Sequence, residues 1–225
     1  LLVACAPAVP DNEFLIEGRL EGVPDSTVIE LCKLEYNLGQ CVQQDTVIGG
    51  KFTFRDTISS LKKFLIMSNG PGFPNRWLTV WVAPGKQVEV SGNGKQLALW
   101  NVKSDLFEQQ EETRFIDCAR EPLRQIQLYG AAEWELIKAL DRKEREGDRE
   151  SAKRIWAKVD SIRRFSMPLE YEIAQREVEC MKTAPFSKVW MEKLETHARA
   201  VQGATKYDMF KDFVALAEPL KELYS

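Results

Sequence analysis

The spacing of apolar residues changes once along this chain, and that change limits the fold more than any single motif does. From Phe14 to about Trp100, apolar and polar residues alternate, with turn residues breaking the pattern about every eight to twelve positions. Alternation of period two puts one set of side chains on each face of a pleated strand, so this half reads as a β-sandwich or barrel. FLIEGRL, STVIELCKL, VQQDTVI, KFTFRDT, KKFLIMS, WLTVWVA and KQVEVSG are the expected strands, with QLALW as an eighth. Gly22-Val23-Pro24-Asp25, Gly49-Gly50 and Ala83-Pro84-Gly85-Lys86 supply turns, because Gly tolerates positive φ and Pro presets φ near about −65°. SNGPGFPN, residues 68–75, is a loop.

From Ser104 onward the apolar spacing becomes three and four, the period of a helix with one buried face. Ser104-Asp105 offers the cap. Successive stripes are Phe115, Ala119, Leu123 and Ile126; Trp134, Ile137 and Leu140; Ile155, Val159 and Ile162; then Trp190, Leu194, His197 and Val201. Pro122 is expected to kink its helix and Pro168 to force a start or a bend, while Gly147 and Gly203 end helices. Thr205 and Asp208 form a capping-box-like pair ahead of Phe210, Phe213, Ala217 and Leu220. The expected fold class is α+β: an antiparallel β-sandwich-like domain over residues 13–101, then an all-α domain over 102–225. Residues 1–12 read as a signal remnant and linker.

That remnant is LLVACAPAVP. Leu2-Val3-Ala4-Cys5 has the order of a bacterial lipobox: a branched apolar residue, a tolerant position, a small residue, then a cysteine. The signal peptidase needs the small residue before its cut, and the Cys5 thiol becomes a thioether to a diacylglyceryl group. Cys5 is therefore the expected lipid-attachment residue, the membrane the expected partner, and the cell envelope, mostly facing the periplasm, the expected location. The sequence starts inside such a signal, without its charged segment or an initiator Met, so a longer precursor is expected. Elsewhere no run approaches the roughly 20 apolar residues of a spanning helix.

Charge and cysteine usage narrow the chemistry. The 31 basic and 34 acidic residues nearly cancel, leaving −3, and no basic stripe interleaved with aromatics appears, so nucleic acid is not an expected partner. The five cysteines include no C-x-x-C and no zinc spacing. Cys32 and Cys41 either close a hairpin as a disulfide or remain free buried thiols; the sequence leaves both open. The single histidine, His197, sits on an apolar stripe and reads as a core or boundary residue. SGNGKQ lacks the earlier glycine and the following Ser or Thr of a phosphate loop, so it is a turn. Carboxylate-rich runs such as EQQEETRF read as solvated helix faces. No catalytic residue, metal or cofactor is expected.

WLTVWVA stands apart. Leu78, Val80 and Val82 point one way, Trp77, Thr79 and Trp81 the other, so both faces are apolar. Trp77 and Trp81, with Phe73 of the adjoining loop, are the candidate partner-binding residues, covered either by the helical region or by an outside partner.

FLIEGRLEGVPDSTVIEL, DTVIGGKFTF, KKFLIMSN and WLTVWVAPGKQVEVSG together resemble the β-rich domain that precedes the thioredoxin-like domain in Gram-negative thiol:disulfide interchange lipoproteins of the TlpA type. The resemblance covers residues 14 to about 100. ECMKTAPFSKVWMEKL is similar to a helix, x-x-P-x-S, helix element of the same proteins, and the lipobox fits as well. The W-C-x-x-C of the redox domain is missing from this chain, so none of its cysteines inherits that role. The resemblance implies a lipid-anchored accessory module, not itself an enzyme, that is either the N-terminal part of such a thiol:disulfide interchange lipoprotein or a relative without its redox domain, and whose partner is a thioredoxin-like domain or an envelope protein. The alternative is a stand-alone envelope lipoprotein that binds a small molecule, glycan or peptide through the aromatic patch.

Overall fold

The computed structural model describes residues 8–35, 38–204, 206 and 208–223. Cys5 and the rest of the lipobox lie outside them, as does Thr205. The chain divides into two compact units. The first holds the described residues up to Gly70 together with residues 77–110; the second holds residues 71–76 and those from Glu111 onward. The expected line at 101/102 is thus replaced by one inside the first helix.

In the first unit the alternating segments form β1 (Glu13–Glu21), β2 (Val28–Glu35), β3 (Leu38–Thr46), β4 (Lys51–Thr57), β5 (Lys62–Met67), β6 (Leu78–Val82), β7 (Lys86–Asn93) and β8 (Asn101–Lys103). They make two four-stranded sheets, ordered β4-β1-β7-β8 and β3-β2-β5-β6. The alternation works as read: Phe14, Ile16, Gly18 and Leu20 of β1 are all buried. Phe54, Val88 and Val90 join them from neighbouring strands, and Ile29, Leu31, Phe64, Ile66, Leu78 and Val80 are buried in the second sheet. The Phe14 and Phe64 rings, one from each sheet, meet with centroids 5.6 Å apart. One departure from an antiparallel sandwich is that β1 pairs with β7 in parallel, while every other pairing is antiparallel.

Two glycines make room for rings on the inner face of the first sheet. Gly18 lies directly across from Phe52, and a Cβ there would run into the Phe52 ring. A Cβ on Gly92 would likewise meet the Trp100 indole. Phe52 and Trp100 are themselves neighbours, with centroids 6.5 Å apart, and both are buried. QLALW is therefore not a strand. Leu97–Leu99 form a 3₁₀ turn that swings Trp100 over Gly92, with the indole Nε1–H donating to the Gly94 carbonyl at 3.1 Å. Between β3 and β4, which belong to different sheets, the isolated Ile48–Lys51 bridge closes a tight turn in which Gly49 and Gly50 take φ of 57° and 72°, the pair of positive values that a type I′ turn requires.

The helices are α1 (Phe107–Cys118), α2 (Arg120–Arg145), α3 (Arg149–Met181), α4 (Lys188–Ala204) and α5 (Ala217–Glu222), with a 3₁₀ stretch, Asp208–Leu216, before the last. Pro122 does not kink a helix. The chain breaks one turn earlier, at Ala119, and Pro122 falls in the first turn of α2, where its missing N–H costs nothing. Gly147 (φ 76°) closes α2, and the Asp148 carboxylate then accepts the Ser151 N–H at 3.1 Å to cap α3. Of the start or bend expected at Pro168, a helix start is excluded, because α3 runs through that residue. Its flanking turns are held by buried Ser166, Ile173 and Ala174, and packing along α2 outweighs the lost backbone bond. Among the described residues no helix is long and apolar enough to cross a membrane.

Candidate functional site

The expected aromatic surface is the first place to look for a site, and the structure takes it apart. Trp81 is 3% exposed, Phe73 1% and Trp77 46%. The register of WLTVWVA is as read: Trp81 pairs with Lys63, and Val80 with Phe64 on the opposite, inner face. The face carrying Trp81 is nevertheless covered. Lys63 Nζ sits 5.8 Å from the Trp81 ring centroid, and the Trp81 backbone N–H donates to the buried Gln109 Oε1 at 2.8 Å. The first turn of α1 thus caps a backbone donor of β6, an edge strand, which is why α1 starts within the sandwich unit. Trp77 precedes the strand and remains exposed alone, so the three aromatics do not form one exposed patch.

Cys32 and Cys41 are cross-strand partners on β2 and β3, beside a register shift after Leu31. Both are free thiols, Cys32 buried and Cys41 exposed. Burial pushes the Cys32 thiol up to about 12, with the neighbouring Cys41 and Glu30 adding to the rise. Such a thiol is a poor nucleophile at neutral pH.

A denser cluster lies in the helical unit, built from α1, α3 and α4. Glu177 of α3 is 7% exposed and uses both carboxylate oxygens: Lys193 Nζ of α4 donates to Oε1 at 2.7 Å, and His197 Nε2 lies 3.0 Å from Oε2. Helical spacing explains the convergence, since positions 193 and 197 are one turn apart and present their side chains side by side to α3. The Lys193 ammonium also lies 5.6 Å from the Phe115 ring centroid on α1. Burial alone would raise the Glu177 carboxyl, but Lys193 and His197 outweigh it and hold the group at about 2. Burial likewise opposes the Lys193 charge, and Glu177 with Glu112 more than offset it, so its pKa is raised. Glu177 is thus a carboxylate at neutral pH, locked to an ammonium.

Two thiols adjoin this cluster. Cys118 ends α1 and Cys180 stands one residue from the end of α3, and burial raises both thiols, Cys118 up to about 12. Cys118 Sγ–H donates to the Phe115 carbonyl at 3.0 Å. Among the described residues no group of three or more His, Cys, Asp or Glu side chains could hold a metal ion.

A concave surface of the helical unit lies where α3 hands over to α4. Met181, Phe186, Trp190, Met191, Leu194 and Leu223 line an apolar groove of about 650 Å³, with Lys182 and Glu222 at its rim. Trp190 is anchored through its Nε1–H to the Met181 carbonyl at 3.0 Å, and its backbone N–H donates to the Ser187 hydroxyl at 3.0 Å. Phe186 packs against Trp190 with centroids 5.5 Å apart yet is 75% exposed, and Met191 is 47% exposed. Sequence reasoning missed this groove. Its signal was present in A-P-F-S-K, where an aromatic residue sits between a helix-breaking proline and the Ser cap, a position with no helical face to hide in.

No family model matches the chain, and no curated protein or solved structure matches it either.

Proposed function

We propose that this chain is a non-catalytic accessory module of the cell envelope, tethered by lipid at Cys5, of the kind that precedes a thioredoxin-like domain in TlpA-type lipoproteins. Its helical unit presents the α3–α4 groove to an apolar stretch of a partner polypeptide. The observation that carries the binding part is the groove itself. An exposed phenylalanine and an exposed methionine flank a concavity of about 650 Å³, room for two or three side chains of a peptide rather than for one. Methionine-lined surfaces adapt to irregular apolar partners, and the charged rim of Lys182 and Glu222 suits a segment with polar residues beside its anchors. The order of a sandwich followed by helices is the one the resemblance calls for. The aromatic-patch alternative loses its surface, because Trp81 and Phe73 are buried.

Two experiments test the reading. Detergent-phase partitioning of the full-length protein and its Cys5→Ala variant checks the tether; wild type in the detergent phase and variant in the aqueous phase is the expected result, because multi-chain acylation anchors where one chain does not. Both proteins in the aqueous phase would sink the tether. A photo-cross-linking residue at Phe186, compared in cells with one at exposed Ile48, checks the groove. An adduct specific to position 186 that disappears with Met191→Glu is expected, and equal labelling from both positions would remove the groove as the binding surface.

A further inference from the structure

We propose that Cys32 and Cys41 are a redox site of the sandwich unit, closed in the oxidised chain by a disulfide across the β2–β3 ladder and entered from solvent through Cys41. The strand register carries it. From Val28 to Leu31 of β2 the partners on β3 run from Thr46 to Gln43, so an unbroken ladder would set Val42 opposite Cys32. The shift after Leu31 drops Val42 from the pairing and sets Cys41 there instead. Bulges re-aim side chains in this way at sheet edges, and β3 is an edge strand. Directly opposed residues of an antiparallel pair have Cα atoms about 4.5–5.5 Å apart, inside the roughly 4.4–6.8 Å that a disulfide spans. The backbone alone therefore brings the two cysteines within disulfide reach.

Their surroundings differ. Cys32 is followed across the sheet by Leu65 of β5 and Thr79 of β6, on the face opposite the fully buried row of Leu31, Ile66 and Leu78. Cys32 is buried, whereas Cys41 stands at the rim and is exposed, its Sγ–H donating to the Gln43 carbonyl at 3.2 Å. A reagent in solution thus meets Cys41 first.

The chemistry is exchange with a small disulfide such as oxidised glutathione. The Cys41 thiolate attacks one donor sulfur, a mixed disulfide forms, and one glutathione thiolate leaves. The Cys32 thiolate then attacks the Cys41 sulfur, closes the Cys32–Cys41 bond and expels the second glutathione thiolate. Two cysteine thiols are oxidised, one donor disulfide is reduced to two thiols, and the two cysteine protons end on glutathione. Reduction runs back through the same sulfur: an incoming thiolate attacks Cys41, and Cys32 leaves and takes up a proton. Burial pushes the Cys32 thiol up to about 12. It is then both a slow second nucleophile and a poor leaving group, so the bond is slow to form and slow to break. Such a site reacts stoichiometrically and does not turn over. It rests on the β2–β3 register, and on neither the lipid tether nor the groove.

The test uses the folded full chain with Cys5→Ser, Cys118→Ala and Cys180→Ala, which isolates the pair. The protein is equilibrated in glutathione buffers of graded redox ratio, acid-quenched, alkylated with a maleimide, weighed intact and mapped. The expected result is one two-electron transition in which both alkylation sites vanish together, and a peptide map with Cys32 joined to Cys41. Adding Cys32→Ala leaves Cys41 as a persistent glutathione adduct, and adding Cys41→Ala leaves Cys32 reacting at least about tenfold more slowly than Cys41 does in the converse variant. Combining Cys41→Ala with Gln40→Cys moves the outer thiol opposite Lys33, on the other face of the strand, and the joined peptide is lost. A Cys41 glutathione adduct that persists at every ratio with Cys32 present, equal reactivity of the two thiols, or undiminished joining in the Gln40→Cys variant would overturn the proposal. The same map of the chain with Cys118 and Cys180 in place gives the Cys32–Cys41 peptide without those substitutions, so a variant that fails to fold does not remove the measurement.

Discussion

Replacing Glu177 by Gln removes the one negative charge that Lys193 and His197 share. In the native unit the carboxyl titrates at about 2 against an ordinary 4.5, a difference worth about 3 kcal/mol at roughly 1.4 kcal/mol per pH unit. Removing one partner of a buried ion pair costs about 3–5 kcal/mol on general grounds, so the two routes agree. For a helical unit of this size each kcal/mol moves the melting temperature by roughly 4 °C, and the expected loss at neutral pH is therefore about 12 °C. The direction with pH follows from the depressed carboxyl. The unfolded group takes up its proton near 4.5 while the folded one stays ionised, so this stabilisation is complete above 4.5 and drains away as pH falls toward 2. Thermal unfolding followed by far-ultraviolet circular dichroism, at neutral pH and at about pH 3, reads both effects. The wild type loses most of its advantage over Glu177→Gln at the lower pH. The paired replacement Glu177→Leu with Lys193→Met recovers much of the loss, because two apolar groups leave no lone charge inside. A neutral-pH difference below about 1 kcal/mol, or parallel acid losses in wild type and variant, would refute the reasoning.

Three further outcomes are expected. Trp81→Ala costs about 3 kcal/mol or more in the sandwich unit, whereas Trp77→Ala changes stability by less than about 0.5 kcal/mol; equal effects in denaturant titration would contradict the burial difference between them. Gly18→Ala destabilises by about 1–3 kcal/mol because its methyl group meets the Phe52 ring, and Gly18→Ala with Phe52→Leu regains part of that, measurable as a shift of the urea midpoint. In an insulin-reduction assay with dithiothreitol the chain gives no turnover above background, since Cys32 and Cys118 are both held protonated up to about 12; activity that vanishes on mutating any cysteine would reverse this.

Much of the fold is readable because the hydrophobic period is a local property. β1 and β4–β7 fall within a residue or two of their alternating segments, and the Gly49-Gly50 turn follows from backbone sterics alone. What lies beyond the sequence is non-local. The parallel partnership of β1 with β7 and the cover over Trp81 depend on segments far along the chain. QLALW misled because apolar content looked like a strand, when Trp100 was destined for the space above Gly92. The buried cluster carried a partial signal: His197 stands on the stripe begun by Trp190 and Leu194, and Glu177 stands one turn after Ile173, a charge on an apolar face. A charge placed there needs a partner, but Lys193 is one of many lysines, and only packing selects it.

The position of β1 governs how the sandwich responds to force. Load entering through the segment before Glu13 arrives at a central strand, bonded antiparallel to β4 on one side and parallel to β7 on the other. A pull along that strand cannot peel hydrogen bonds one at a time, as it could from an edge. It must slide β1 past two ladders at once, from Phe14 through Glu21 against β7, while dragging the Phe14 and Ile16 side chains out of the core. The first unit is therefore built to resist load that enters ahead of β1 better than load that enters at β8, a three-residue edge strand held from one side only.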